Sequence, residues 1–474
     1  MAYVHYDRLS ALDATFLAIE DENVHMHVGA VAIFDARPLT GPHGGLDFAR
    51  IRSLAGPALA RSQRFRQRLA HVPVLGHPVW VDDDHFQLDY HVRHTALPAP
   101  GDERQLKRLA GRLLSQKLDP HKPLWELWFV EGLEGDRCAV VTKVHHCMVD
   151  GISGVDLMGM LLRGEPDGEG GEGEAPRWLP RPAPGPARLL RDELARRAGL
   201  PRAALRLGTR ALGAPLRTLD EARDAVRAVR DILSPGLHAA TPTPINGPIG
   251  PHRRFDWTEL DLDAVKEVKQ RLGGTVNDVV LAIVAGAMRT FLARRGVEVD
   301  ELDFRAQVPV NVRAPRERGR LGNRVATLVV RLPVHEPDPR RRHREVVHTT
   351  DERKHSLQVR GSELLEALGD WTAKELLAGI VRLTAQGLAF NMTVTNVPGP
   401  QGQAYLLGAA MQAIYPVVPL FPQQGIGIAL FSYHGRLFWG FHADWDLVPD
   451  LHDLVLAVQA EFETLRKLAQ EAAS

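Results

Sequence analysis

The chain has 474 residues, more than one ordinary hydrophobic core accommodates, so two domains are expected. A composition of 44% hydrophobic and 24% charged residues excludes a disordered or collagen-like chain. The 58 basic and 58 acidic residues cancel, which argues against a nucleic-acid partner held by bulk electrostatics.

The start, MAYVHYDR, lacks the basic and apolar regions of a signal peptide. Residues 24–35 read as a strand, followed by a helix over 46–61 and short strands at 64–71 and 78–83. Over 102–118, Leu106, Leu109, Leu113, Leu114 and Leu118 recur at helical spacing and predict an amphipathic helix. Two strands follow at 124–133 and 138–146, joined by a Gly-containing turn, and a helix starts after Gly151. Residues 164–186 are rich in Gly, Glu and Pro and read as a flexible linker. It separates an N-terminal domain, 1–163, from a C-terminal domain, 187–474.

The second half opens with Arg/Ala/Leu-rich helices over 187–233. It continues with helices 262–272 and 275–295, strands 304–313 and 324–334, and helices 338–356 and 371–388. Strands at 391–397, 405–418 and 425–444 and a helix at 449–468 complete it. Interleaved strands and helices in both halves give a mixed α/β class. Two cysteines, Cys138 and Cys147, provide no disulfide framework and fit a reducing cytoplasm. No run approaches about 18 uninterrupted apolar residues, so membrane contact is expected to be peripheral.

The chemistry is concentrated in HHCMVDG, residues 145–151, where a strand ends and a helix begins. Strand alternation puts His145 and His146 on opposite faces, so one of them faces a given site. Neutral imidazole accepts a proton near pH 7, as a hydroxyl nucleophile requires. The helix start that follows offers free N–H groups to an oxyanion. A purely structural histidine is the plain alternative. A metal site needs converging ligands, which opposite-facing histidines do not supply, and Cys147 adjoins His146 in sequence without thereby meeting it in space.

HHxxxDG is the signature of chloramphenicol-acetyltransferase-like acyltransferases and peptide-synthetase condensation domains. More specifically, the chain resembles the bacterial wax ester synthase/diacylglycerol acyltransferase family over nearly its whole length. The resemblance is carried by LSALDATFLAIED (9–21), MHVGAVAIFD (26–35), FQLDYHVRHTALPAPG (86–101), PLWE (123–126), HHCMVDG, Asn277-Asp278, PVNVR (309–313), Gly322-Asn323 and NVPGP (396–400). It implies two chloramphenicol-acetyltransferase-like domains with the active centre at their interface. It also implies transfer of a long-chain acyl group from acyl-CoA to diacylglycerol or a long-chain alcohol, giving triacylglycerol or wax ester.

The same resemblance makes His146 the general base and His145 a supporting residue. Asp150 would hold the motif loop by an ion pair with an early arginine, by position Arg66, with Arg64 and Arg68 as neighbouring competitors. Gly151 fits a tight turn near the oxyanion. Asn277 would support the oxyanion or substrate, although Thr275 or Asn277 could equally be the N-cap of its helix. Asp278, Pro123, Trp125, Asn396, Pro398 and Gly399 are carried as substrate-binding residues; PLW also reads as a packing motif and NVPGP as a turn.

No cofactor or metal is expected, acyl-CoA being a substrate. Residues 177–230 hold thirteen Arg and no Lys among Leu, Ala and Val, which suits a membrane or lipid-droplet surface; a solvated face on packed helices explains them as well. The expected location is cytoplasmic with peripheral lipid association. Two other functions fit the motifs: a free-standing condensation-type enzyme using carrier-protein substrates, and a non-catalytic lipid-droplet binding protein.

Overall fold

Capping side chains set several helix starts before packing is considered. Ser10 accepts the Asp13 N–H, and Asp102 with Gln105 and Thr275 with Asp278 form reciprocal capping boxes. The computed structural model describes residues 5–60, 62–148, 154–166, 178–196, 240–311, 325–352 and 389–472. The strands of the first half are β1 (Asp7–Arg8), β2 (His27–Asp35), β3 (Gln67–His71), β4 (Pro78–Asp82), β5 (Val92–Ala96), β6 (Trp125–Leu133) and β7 (Arg137–His145). The second half adds β8 (Arg253–Asp261), β9 (Phe304–Asn311), β10 (Val325–Leu332) and β11 (Met392–Pro398). It ends with β12 (Tyr405–Leu406), β13 (Ala409–Val417), β14 (Ile426–Tyr433) and β15 (Arg436–Asp444). The helices are α1 (Ala11–Ile19), α2 (Phe48–Ala60), α3 (Leu88–His91), α4 (Glu103–Ser115), α5 (Gly154–Leu161) and α6 (186–196). They continue with α7 (Leu262–Leu272), α8 (Val276–Arg294), α9 (339–352) and α10 (Leu451–Glu471).

Among the described residues two mixed six-stranded sheets organise the chain, ordered β12-β13-β2-β7-β6-β5 and β10-β9-β11-β14-β15-β8, beside a small sheet β1-β4-β3. One strand crosses the division expected at 187. β13 leaves the second half and pairs antiparallel with β2, from Met411 opposite Phe34 to Val417 opposite Gly29. An apolar strand pattern shows that a segment is buried, not which sheet accepts it. Trp257 of β8 then stacks on Tyr415 of β13 with ring centroids 4.7 Å apart, so the core of the first half runs on into the second.

The flexible linker expected at 164–186 is also corrected at its far end. Arg181 grips Asp82 through Nε at 2.9 Å, Nη2 at 2.8 Å and its backbone N–H at 3.0 Å. Trp178 lies under the Arg66 guanidinium, and Leu189 of α6 is buried with Val79 and Val81 of the small sheet and Val72 just after β3. Composition identified the Pro and Gly, but one Trp and one Arg suffice to dock an extended segment. The sequence reading also missed α1, β5 and β8. The helix expected at 371–388 and most of 187–233 lie outside the described residues.

Among the described residues one helix, α8, is long and apolar enough to cross a membrane by length and composition. Here Val279 to Met288 are all buried, packed on the second sheet and against α10, which is the environment of a core helix.

Candidate active site

β7 carries the paired histidines to the boundary between the halves. The His145 N–H donates to Leu124 O at 2.9 Å and the His146 N–H to Met26 O at 2.7 Å. The chain then tightens into a 3-10 turn, His146–Met148. Met26 belongs to a small apolar cluster in which Val24 and Phe16 of the first half meet Ile249, Phe390 and Phe421 of the second. The turn therefore stands at the domain interface.

The two imidazoles diverge. His145 is buried; its Nδ1 accepts the Cys147 N–H at 3.0 Å and its Nε2 lies 3.1 Å from Glu20 Oε1. His146 is half-buried and stacks on Phe16 of α1, with centroids 3.9 Å apart and planes 27° from parallel. Among the described residues no side chain hydrogen-bonds the His146 ring. Burial first, and the nearness of the His145 ring second, pull its pKa down to about 4. The ring is thus neutral and able to accept a proton at physiological pH.

Cys147 is buried, and burial pushes its thiol well above the usual range, so it is no thiolate nucleophile. Asp150 and Gly151 lie outside the described residues, and the Asp150–Arg66 pair is not placed. The Arg66 guanidinium sits 4.8 Å from the Trp178 ring centroid. Arg64 lies over Trp80 at 4.6 Å, and Arg68 Nε is 3.9 Å from Asp83.

Three residues carried as substrate contacts have protein partners of their own. Trp125 is fully buried, donates Nε1–H to Phe65 O at 2.8 Å and stacks on His91 at 4.5 Å, with Pro123 buried before it. Asp278 accepts the Thr275 N–H and hydroxyl on Oδ2, both at 2.7 Å, and the Thr350 hydroxyl on Oδ1 at 2.7 Å. Thr275, not Asn277, is the N-cap of α8, and Asn277 is half-buried in its first turn.

NVPGP is not one turn: Asn396 and Pro398 end β11, paired in parallel with Leu430 and Ser432 of β14. Gly399 follows, where a Cβ would fall 2.3 Å from the Phe431 ring and 2.4 Å from Ser432 O, so only glycine fits.

Sequence reasoning overlooked Glu20, Phe16 and Met26, all in or beside the opening motif. Nothing local marks them, because their partners lie at the far end of β7.

A family model of the wax ester synthase/diacylglycerol acyltransferase catalytic domain matches residues 9–280. The corresponding C-terminal domain model matches residues 321–466. A putative diacylglycerol O-acyltransferase of Mycobacterium tuberculosis is 35% identical over 453 residues, covering 94% of this chain and 87% of its own. A probable diacylglycerol O-acyltransferase of the same organism is 33% identical over 463 residues, covering 96% and 94%. The solved wax ester synthase/diacylglycerol acyltransferase of Marinobacter aquaeolei superposes with a TM-score of 0.67 at 27% identity, covering 98% of this chain and all of that one. The first condensation domain of the calcium-dependent antibiotic synthetase matches in fold alone, with a TM-score of 0.59 at 17% identity over 99% and 97%.

Proposed function

Because the chain belongs to the wax ester synthase/diacylglycerol acyltransferase family, we propose that His146 is the general base of its acyl transfer. The protein is an acyltransferase acting on diacylglycerol or a long-chain alcohol. One observation carries the role of His146: a neutral imidazole at the domain interface, steadied by Phe16 and by the Met26 carbonyl.

In the proposed reaction an acceptor hydroxyl gives its proton to His146 as its oxygen attacks the acyl-CoA thioester carbonyl. The C–O bond forms, the carbonyl becomes an oxyanion, and its collapse breaks the C–S bond. The CoA sulfur leaves with the proton returned from His146, and no acyl-enzyme forms. Asp150 paired with Arg66 is the proposed brace of the motif loop, and Asn277 the proposed support of substrate or oxyanion. Asn396, Pro398 and Gly399, at the end of β11, are the proposed binding elements of the second half, and Gly151 the proposed turn beside the oxyanion. The reaction as proposed uses no cofactor or metal.

We also place the protein in the cytoplasm against a membrane or lipid-droplet surface. Leu179 and Leu194, 72% and 53% exposed among arginines, support that contact.

The test is release of CoA from palmitoyl-CoA with dioleoylglycerol or hexadecanol as acceptor. His146→Ala, with an unchanged thermal melt, should lose about 10²–10⁴-fold in kcat. A folded His146→Ala enzyme with near wild-type turnover would remove the histidine from this role. Absence of acceptor-dependent release by the wild type would turn attention to carrier-protein substrates.

A further inference from the structure

His145 transfers no proton in the reaction above, yet its Nδ1 accepts a hydrogen bond and its Nε2, which makes none among the described residues, lies at ion-pair distance from a carboxylate. Nδ1 accepts the Cys147 N–H at 3.0 Å, so the ring proton belongs on Nε2. Nε2 lies 3.1 Å from Oε1 of Glu20, the C-cap residue of α1. The same Oε1 accepts the Met26 N–H at 2.9 Å, and Met26 in turn accepts the His146 N–H at 2.7 Å. Lys117 Nζ, 3.3 Å from Oε2, balances the carboxylate charge in this buried place. His27 does not compete for the Glu20 oxygen, since its Nε2 accepts the Leu118 N–H at 3.4 Å.

Glu20 thus reaches the 146–148 turn along two routes. One runs through the His145 ring to the Cys147 N–H, the other through the Met26 backbone to the His146 N–H. Without an acceptor at Glu20, His145 is free to protonate Nδ1 instead, which turns a hydrogen bond to the Cys147 N–H into two opposed donors.

We propose that Glu20 is a positioning residue for acyl transfer: its carboxylate fixes the Nε2-protonated tautomer of His145, which with Met26 holds the turn presenting His146. This rests on His146 being the base. The carboxylate sits one residue away from that base, so it sets where the imidazole stands and takes no part in the proton's path.

The experiment compares Glu20→Gln, which keeps an acceptor oxygen, with Glu20→Leu, which does not, in the full chain and in a His145→Asn background. Turnover with palmitoyl-CoA is measured beside the ¹⁵N spectrum of labelled histidines, the His145 signal being assigned by its loss in His145→Asn. Glu20→Leu should lower kcat about 10- to 100-fold with little change in KM, and Glu20→Gln should retain more activity. In the wild type His145 should show a protonated Nε2 and a bare Nδ1, and Glu20→Leu should lose that signature.

In the His145→Asn background the further loss from Glu20→Leu should shrink to about twofold or less. A folded Glu20→Leu enzyme with wild-type kcat, an unchanged His145 tautomer, or equal losses in both backgrounds would each overturn the proposal. If Glu20→Leu does not fold, Glu20→Gln carries the same comparisons. Loss of the His146 reading would show instead as a wild type without acceptor-dependent turnover, and the tautomer would still report on Glu20.

Discussion

Two neighbourhoods of the molecule, the inner face of β7 and the helix α8, are filled with different chemistry. Under the first sheet Lys143, His145, His27 and Glu126 are all buried, with Glu20 at the margin. Lys143 Nζ meets Glu126 Oε2 at 3.1 Å and the carbonyls of Leu113 and Gln116, at the end of α4, at 3.1 and 3.0 Å. In the second half α8 buries an apolar run from Val279 to Met288 against its sheet and α10. Polar bonds fix the direction of a side chain, whereas apolar packing fixes only its volume. The seam along β7 therefore fixes side-chain directions, whereas α8 packs as an apolar rod in the second core.

The largest expected effect comes from opening the charged seam of the first half. Lys143→Met should cost about 3 kcal/mol or more in urea unfolding, because the buried Glu126 loses a cation. Adding Glu126→Gln should recover much of that loss. Failure to recover would locate the lysine's effect in the α4 carbonyls alone.

In the apolar core around α8, Leu281→Ala should cost about 2–4 kcal/mol while the folded enzyme keeps its kcat. A fall in kcat well beyond the unfolded fraction would break the contrast between the two neighbourhoods.

A smaller and more specific change is expected at Phe16. With the His146 pKa near 4, kcat/KM should stay flat from neutral pH down to about pH 5. Phe16→Ala opens the ring to water, so the acid limb should move up toward 6.5, with only a few-fold loss at pH 7. An unmoved limb would show that Phe16 does not bury the base.

Stability carries the same sign. Burial holds His91 and His146 near 4 and His442 near 3, so between these values and about 6.5 the unfolded chain binds more protons. Unfolding free energy should therefore fall as the pH drops through that window.

Legibility followed distance along the chain. The leucine spacing of α4, the capping box of Thr275 and Asp278, and the strand ending at His145 were readable because each is set by residues within a few positions. The His145-His146 divergence was readable too, from alternation alone. Asp278 and Trp125 show structural partners, and in one sequence a cap and a core aromatic look like polar and aromatic binding residues. Trp178 and Arg181 misled, since their docking depends on Phe86, Arg66 and Asp82, elements absent from a local window.

By itself the sequence determined the mixed α/β class, most strands and helices, and the ordered motifs that mark the acyltransferase family. Tertiary structure alone decided that β13 completes the first sheet beside β2 and that the Glu20 carboxylate meets the His145 ring. Such pairings close long loops, and their free energy is repaid by the whole core and not by the propensity of either segment.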